Sequence, residues 1–502
     1  MIPVRRIRLS AALAIAVAHP LFGQQFRVEL DSRFQSVAYR GWQADSILAA
    51  QAVTSAYGGP ATPDGFALRC FPGAQYCYYF RPGKPLRAHP WTTSARGSVW
   101  GLGVGGLSFH AASLAAFDPG SGESWPGSTP ALRLVEGYAR LAAGNWDFRA
   151  GRQYVASRFG LRGLDGIRAG LEVSRLGLEL TGYGGWILAR GSSLPVLSPA
   201  LNPLNEFRPR RRQLLGGIQL GLRQGALVLR GTYEREFDPG PRYLAGERVG
   251  LDLWAALPGD FRFSFGADYD LGMGWWGSAE ARLSFAPEDW LIADLGARRY
   301  RPYFELWSVW PAFTPVPYNA LSGNLSVSLG RFISVRAGGE VYRYAPTGAA
   351  SPLLVETSDR GWRGSLGAGY RDRRLAASAN YFLELGPGAG AGGVEGKVSY
   401  HSGSDFTLSL YGSYLRRPLE LRFNESALGI LEAAVEYRPS DRVELGLELG
   451  RYAEDRDRPD AAAVSWDQLR LATRVTIVLR GGARGSGLPA AVLRMPRGPS
   501  GR

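Results

Sequence analysis

The sequence predicts an all-β chain, a single transmembrane antiparallel β-barrel of about 22 strands (range roughly 16–22) with short periplasmic turns and long extracellular loops. Three observations carry that prediction. From Gln25 onward, apolar residues alternate with polar or small ones, the period-2 signature of a strand with one face in an apolar medium. The alternating stretches run for about 10 to 14 residues, longer than soluble strands but suited to crossing a bilayer at a tilt. Their connections are short and long in turn. Composition agrees: 67 glycines and 12% aromatic residues suit curved strands, whereas each glycine weakens a helix by about 1 kcal/mol relative to alanine. A soluble sandwich, propeller or solenoid explains strands, but neither their length nor the alternation of their links.

Taken in chain order, residues 1–23 have the three parts of a secretory signal. Arg5, Arg6 and Arg8 precede the apolar residues 11–18, and Pro20, Leu21, Phe22 and Gly23 follow. The apolar run is too short for a spanning helix, which needs about 20 residues. Cleavage is expected near Gly23, and Gln24 in place of cysteine leaves no acylation site. An exported chain meets an oxidising compartment, so Cys70 and Cys77, with Pro72 and Gly73 between them, are expected to close a small disulfide loop.

The barrel is expected over residues 24–479. Phe261, Phe263, Phe265, Ala267 and Tyr269 interleave with Arg262, Ser264, Gly266, Asp268 and Asp270. Leu445, Leu447 and Leu449 interleave with Glu444, Gly446 and Glu448. Short links fall at 105–106, 143–145, 174–175, 223–225, 258–260, 286–289, 330, 372, 402–404 and 439–441. Longer polar stretches rich in Pro and Gly separate them, the longest being a first loop over residues 40–91. Trp146 and Trp290 follow short turns, Phe261 and Phe406 open strands there, and Tyr233 and Tyr269 lie near the opposite ends, as two interfacial girdles require. The final strand carries Leu469, Leu471, Val475, Ile477 and Leu479, and residues 480–502 form a basic tail expected to be disordered.

The net charge of +14 is concentrated outside the strands. Three arginines of the signal and five of the tail account for more than half of it, so the barrel itself is mildly basic. No concentrated basic face or recognisable module points to nucleic acid. By parity the inner face carries Arg140, Arg149, Arg168, Arg230, Arg262, Arg282, Arg336, Arg363 and Arg374. It also carries Glu136, Asp147, Glu172, Glu179, Glu234, Asp268, Glu280, Glu340, Glu384, Glu444 and Glu448. Both signs are present in similar number, so most are expected to pair across strands, and only an uncompensated row would set ion selectivity. Parity places Tyr342 inward with Glu340.

Catalysis finds little support. Even-spaced carboxylates such as Glu432 and Glu436 share a strand face without implying acid/base work. His110 and His401 have no partnered serine and acid, and the four scattered histidines offer no metal spacing. Gly101, Gly103, Gly105 and Gly106 precede no helix and no GK[ST], so they read as strand glycines. No enzyme activity and no cofactor are expected.

Gly151, Arg152 and Gln153, followed by Leu164, Asp165, Gly166, Ile167 and Arg168, resemble the GRQ and DGxR strands of porin-like, alginate-export-type outer-membrane barrels. The resemblance covers about 20 residues of 502 and implies a channel whose polar wall handles solutes, with Arg168 and Arg152 near the pore. Parity from Trp146 and Phe148 instead puts Arg152 on the outer face unless a bulge intervenes. The end of the chain departs too, since such barrels close on an aromatic residue.

The expected function is therefore passive passage of small polar or anionic solutes, sugars included, across a bacterial outer membrane. The expected partners are outer-membrane lipid, the barrel-assembly machinery and those solutes. The alternative is a non-transporting structural or adhesion barrel whose loops bind partners. Pore-lining residues are expected to include Arg140, Arg149, Arg168, Glu172, Arg230, Arg262, Arg336, Glu340 and Arg374. The first loop, with Arg69, Arg81, Lys84 and Arg87 among Phe71, Tyr76, Tyr78, Tyr79 and Phe80, is expected to be structured. It either folds inward as a basic, aromatic constriction or stands as an outward lid.

Overall fold

Because successive strand residues point to opposite faces, each alternating run forms a strand with a lipid side and a polar side only if every edge is paired. A computed structural model of the chain describes residues 25–54, 60–66, 68–120, 131–188, 213–237, 244–301, 317–345, 359–386, 389–403, 405–419, 425–457 and 466–481. The expected signal peptide and the tail beyond residue 481 lie outside the described residues.

The chain opens with β1 (Gln25–Leu48), a 3-10 turn (Ala49–Gln51), and the small strands β2 (Val53–Thr54), β3 (Pro60–Ala61) and β4 (Arg69–Cys70). β5 (Tyr76–Ala88), β6 (Trp91–Trp100), β7 (Leu107–Phe117), β8 (Ala131–Ala143), β9 (Trp146–Ser157) and β10 (Gly160–Val173) follow. Next come β11 (Leu178–Ile187), β12 (Leu214–Gln224), β13 (Leu227–Phe237), β14 (Leu244–Leu257), β15 (Phe261–Asp270) and β16 (Trp275–Glu288). The far wall is β17 (Leu291–Tyr300), β18 (Tyr318–Leu329), β19 (Ile333–Tyr344), β20 (Arg360–Arg371) and β21 (Leu375–Gly386). β22 (Ala389–Ser402), β23 (Phe406–Leu419), β24 (Glu425–Ser440), β25 (Val443–Asp457) and β26 (Trp466–Gly481) complete it.

β6 through β26 pair antiparallel with their sequence neighbours, and β1 closes the circle. It pairs with β6 from Gln25↔Trp100 to Phe34↔Trp91, and with β26 from Phe26↔Gly481 to Val37↔Arg470. The result is a closed barrel of 22 strands. The ten short links are the tight turns at one end. Gly144 and Gly225 take φ of 57° and 55° there, left-handed values that a side chain disfavours. The other end holds the longer connections, with short ones at 158–159 and 271–274.

Residues 40–91 differ from the expected loop. β1 continues to Leu48 and pairs with β5 from Val37↔Ala88 to Leu48↔Tyr76, in the same register as its pairing with β6, apart from a shift between Arg40 and Trp42. The first loop is thus rooted in a long hairpin. Its alternation is hidden by Pro82 and Pro85, which a strand tolerates where it has a neighbour on one side only. Cys70 and Cys77 form the expected disulfide and face each other across β4 and β5.

Apolar residues of one parity are open to the outside: Ile167 is 66% exposed, Leu321 62% and Leu447 49%. Aromatic pairs recur on this face toward both ends. Phe261 and Phe285 stack at 4.6 Å near the short turns, and Tyr269 meets Trp276 edge-on at 5.2 Å near the long-loop end. Tyr342 points inward and donates to Glu384 at 3.1 Å.

Candidate functional site

One hairpin leaves the wall. β8 pairs with β9 only as far as Gly137↔Arg152, and β10 pairs with β11 only from Leu164↔Ile187. Between those limits β9 and β10 keep pairing with each other up to Ser157↔Gly160. A run of about seven residues at roughly 3.3 Å per residue gives this projection a reach of about 23 Å. Its departure point is the cross-strand pair Gly151↔Gly166. Gly151 has φ 126°, and a Cβ there would lie 2.3 Å from the Gly137 carbonyl oxygen. A Cβ on Gly166 would lie 2.0 Å from the Gly184 oxygen. Only glycine lets the backbones approach this closely.

The projection folds onto the inner wall. Val155 and Leu164 are buried with Tyr183 of β11 and Leu215 of β12, while Leu161 stays 61% exposed. The Gln219 side-chain amide donates to the Ala156 carbonyl at 2.8 Å. Glu234 of β13, fully buried, accepts from Ser157 and Tyr183, each at 2.7 Å, and from the Arg162 Nε at 3.3 Å. Arg162 also lies 2.8 Å from Glu236. Buried charges of this kind are tolerable because each has opposite charge or hydrogen bonds around it.

The tip goes further. Arg158 places Nη1 2.7 Å from Asp252 on β14 and 3.2 Å from Glu280 on β16, and Nη2 donates to Ser278 at 3.3 Å. Two inward glycines make room: a Cβ on Gly250 or Gly266 would lie 2.9 Å and 1.9 Å from the Arg158 side chain. Arg248 covers the Phe159 ring at 4.4 Å. The hairpin therefore lies across the inner faces of β11 to β16 and narrows the lumen there.

On the short-turn side of the departure point, register sets Arg140, Arg149 and Arg168 directly opposite one another on β8, β9 and β10. Like charges in that position repel unless something compensates. Asp147 takes Arg140 at 2.7 Å and Arg149 at 3.1 Å. Arg168 has no ion pair among the described residues, and the facing acidic pair Glu172↔Glu179 stands four residues further along the strand. By strand count, β19 to β22 lie across the lumen. Arg336, Lys397 and His401 line a groove of about 430 Å³ there with Ser334, Ser378 and Ser399.

Other inner-face charges pair across strands. Glu340 lies between Arg298, at 2.7 Å, and Arg363, at 2.5 Å; Arg474 meets Asp31 at 2.5 Å and Arg33 meets Glu448 at 3.5 Å. Arg230 stands opposite Asp252, and Arg262 opposite Ser284 on the inner face. Arg374 corrects the expectation: it sits in the turn before β21, not on the wall. Arg152 keeps outward parity, since β8, β9 and β10 pair there without a register shift, and it makes a two-point pair with Asp165 at 2.7 and 2.8 Å. On the first hairpin, Arg81 bonds Asp45 at 2.7 Å and Arg69 lies over Phe71 at 5.2 Å, while Lys84 and Arg87 are exposed.

Sequence reasoning missed Arg158, Arg162 and the glycine pair. The only signal was the motif itself, whose Gly151 and Gly166 are the departure point and whose Gln153 donates to the Gly166 carbonyl at 3.2 Å.

No protein-family model and no curated protein matches the chain, so the likeness to alginate-export-type barrels stands on that short motif alone. Among solved structures, the siderophore receptor PirA from Pseudomonas aeruginosa is similar with a TM-score of 0.50 at 11% identity, over 90% of this chain and 80% of that one. The copper transporter OprC gives 0.47 at 12% identity, over 91% and 81%. OccAB3 of Acinetobacter baumannii gives 0.37 at 12%, over 91% and 99%. The first of these shows that the fold is that of an outer-membrane β-barrel.

Proposed function

We propose that the chain is an outer-membrane pore for passive passage of small polar solutes, with anions favoured over cations. The observation that carries this reading is the row Arg140, Arg149 and Arg168 beside the inward hairpin, with Arg168 unpaired among the described residues. Guanidinium groups in a narrowed, partly water-excluded passage attract carboxylates and phosphates and donate to sugar hydroxyls. The groove at Arg336 and Lys397 supplies positive charge across the lumen. In this reading the first hairpin, with Arg69, Arg81, Lys84 and Arg87, lies at the entrance and meets solute before the β9–β10 hairpin does.

The alternative, a non-transporting barrel that binds partners, draws on one observation: Phe71, Tyr76 and Tyr78 are about half exposed beside the disulfide. Planar-bilayer recording in asymmetric salt separates the two. Stable single-channel steps with a reversal potential on the anion side are expected, and a folded barrel that carries no current supports the partner-binding alternative.

A further inference from the structure

The outer face holds a second basic row, and it points away from the lumen. Register aligns Arg299 of β17, Asn319 of β18, Arg343 of β19 and Arg360 of β20 side by side at the long-loop end. All four are exposed. Arg343 and Arg360 share Asp359, at 2.6 and 3.8 Å, and Arg299 makes no ion pair among the described residues. At other points of the outer face arginines meet acids directly, Arg235 beside Glu247 at 4.0 Å and Arg152 against Asp165.

Toward the bilayer this row overlooks an apolar groove of about 760 Å³, lined by Phe265, Ala281, Ala297, Leu321, Val341 and Trp362. Beyond it, Gly323, Gly339 and Gly364 stand side by side on three adjacent strands and deepen the surface. A groove for an acyl chain under a row of guanidiniums fits a lipid with an anionic headgroup. Arg299 and Arg360 are three strand spacings apart, about 14 Å, wider than one phosphodiester.

We infer that this face is a binding site for a phosphorylated, acylated disaccharide lipid of the outer leaflet, its phosphates on Arg299, Arg343 and Arg360 and one acyl chain in the groove. The inference rests on the outer-membrane reading above.

The test is native mass spectrometry of the full chain in detergent, offered bisphosphorylated lipid A, its dephosphorylated form, or phosphatidylglycerol. The wild-type protein is expected to retain bisphosphorylated lipid A above the other two. The combined substitution Arg299→Gln, Arg343→Gln, Arg360→Gln should lower retention at least tenfold. A Cβ on Gly339 meets nothing closer than the Arg363 carbonyl oxygen at 3.8 Å, so Gly339→Leu blocks the acyl path just beyond the groove without backbone collision and should also weaken retention. Equal retention by wild type and the triple variant, or phosphatidylglycerol held as tightly as lipid A, overturns the site. Faster migration of unboiled protein in gels reports the barrel separately, so failure of the membrane reading is distinguishable from failure of the lipid site.

Discussion

Arg158 and Asp252 lie 2.7 Å apart although 94 residues separate them in sequence. The contact joins the tip of an inward hairpin to a strand five places around the barrel from β9. Breaking a largely buried ion pair by removing one partner costs about 3 to 5 kcal/mol, so Arg158→Ala is expected to undock the tip. Single-channel conductance should rise or become noisy, with gel mobility of the folded barrel unchanged. Deleting residues 66–87 from the first hairpin should leave conductance within its wild-type range. The opposite pattern would move the constriction to the first hairpin.

Selectivity should follow the arginine row. Arg168→Glu introduces a carboxylate facing Arg149 on the neighbouring strand, leaving two aligned cations, Arg140 and Arg149, beside one anion. Anion preference, read as reversal potential in a salt gradient, is expected to fall strongly or invert. Arg262→Glu, the same charge change on the inner face away from the row, should shift it far less. Equal effects from the two would mean that overall charge, not this row, sets preference.

The wall was legible in the sequence because lipid on one side and water on the other force period-2 alternation, and because ten tight turns alternate with longer links. The inner parity of Arg140, Arg149, Arg168 and Glu340 followed from the same rule. The inward hairpin was not legible. Whether residues 153–163 stay in the wall depends on where β8 and β11 stop pairing with it, and no local pattern encodes that. Arg158 carries no periodic signal either, since its partners Asp252 and Glu280 lie on strands remote in sequence. The root of the first loop was hidden for a different reason: prolines in a strand paired on one side imitate a loop.

The lipid face gives a parity test. Leu447 is 49% exposed on the outer face, and an arginine there should cost about 2 to 4 kcal/mol near the bilayer midplane. Its neighbour Glu448 makes a half-exposed pair with Arg33 at 3.5 Å, the kind worth about 0 to 1 kcal/mol. Urea titration of refolded protein in vesicles should therefore rank Leu447→Arg well below Glu448→Gln. The reverse order would invert the assignment of faces.

Asp372 governs one tight turn. Its carboxylate accepts the backbone N–H groups of Leu375 and Arg374, both at 2.7 Å, and the Tyr370 hydroxyl at 2.8 Å. These bonds, that of Leu375 foremost, hold its pKa below the ordinary carboxylate value. A depressed folded pKa contributes stability above the unfolded value of about 3.9 that is lost as pH falls through the folded value. The protection of the Leu375 amide, its hydrogen exchange relative to the intrinsic rate at each pH, should hold at about pH 5 and fall only below about pH 4. Asp372→Asn should remove that pH dependence.

The glycine pair at the departure point supplies the last prediction. A methyl group on Gly166 would sit 2.0 Å from the Gly184 carbonyl oxygen, and one on Gly151 2.3 Å from that of Gly137, in a backbone conformation at φ 126° that side chains disfavour. In both cases the obstacle is backbone of a neighbouring wall strand, which is held by its own ladder and has little room to yield. Gly166→Val should therefore displace the hairpin and leave the rest of the 22-strand wall intact. A Cβ on Gly250 would lie 3.1 Å from the Arg158 Cβ, so cysteines at positions 158 and 250 should form a disulfide in the otherwise native chain and fail to do so in the Gly166→Val background, while both proteins still migrate as folded barrels. Cross-linking of equal yield in the two backgrounds would show that the glycine pair does not direct the hairpin inward.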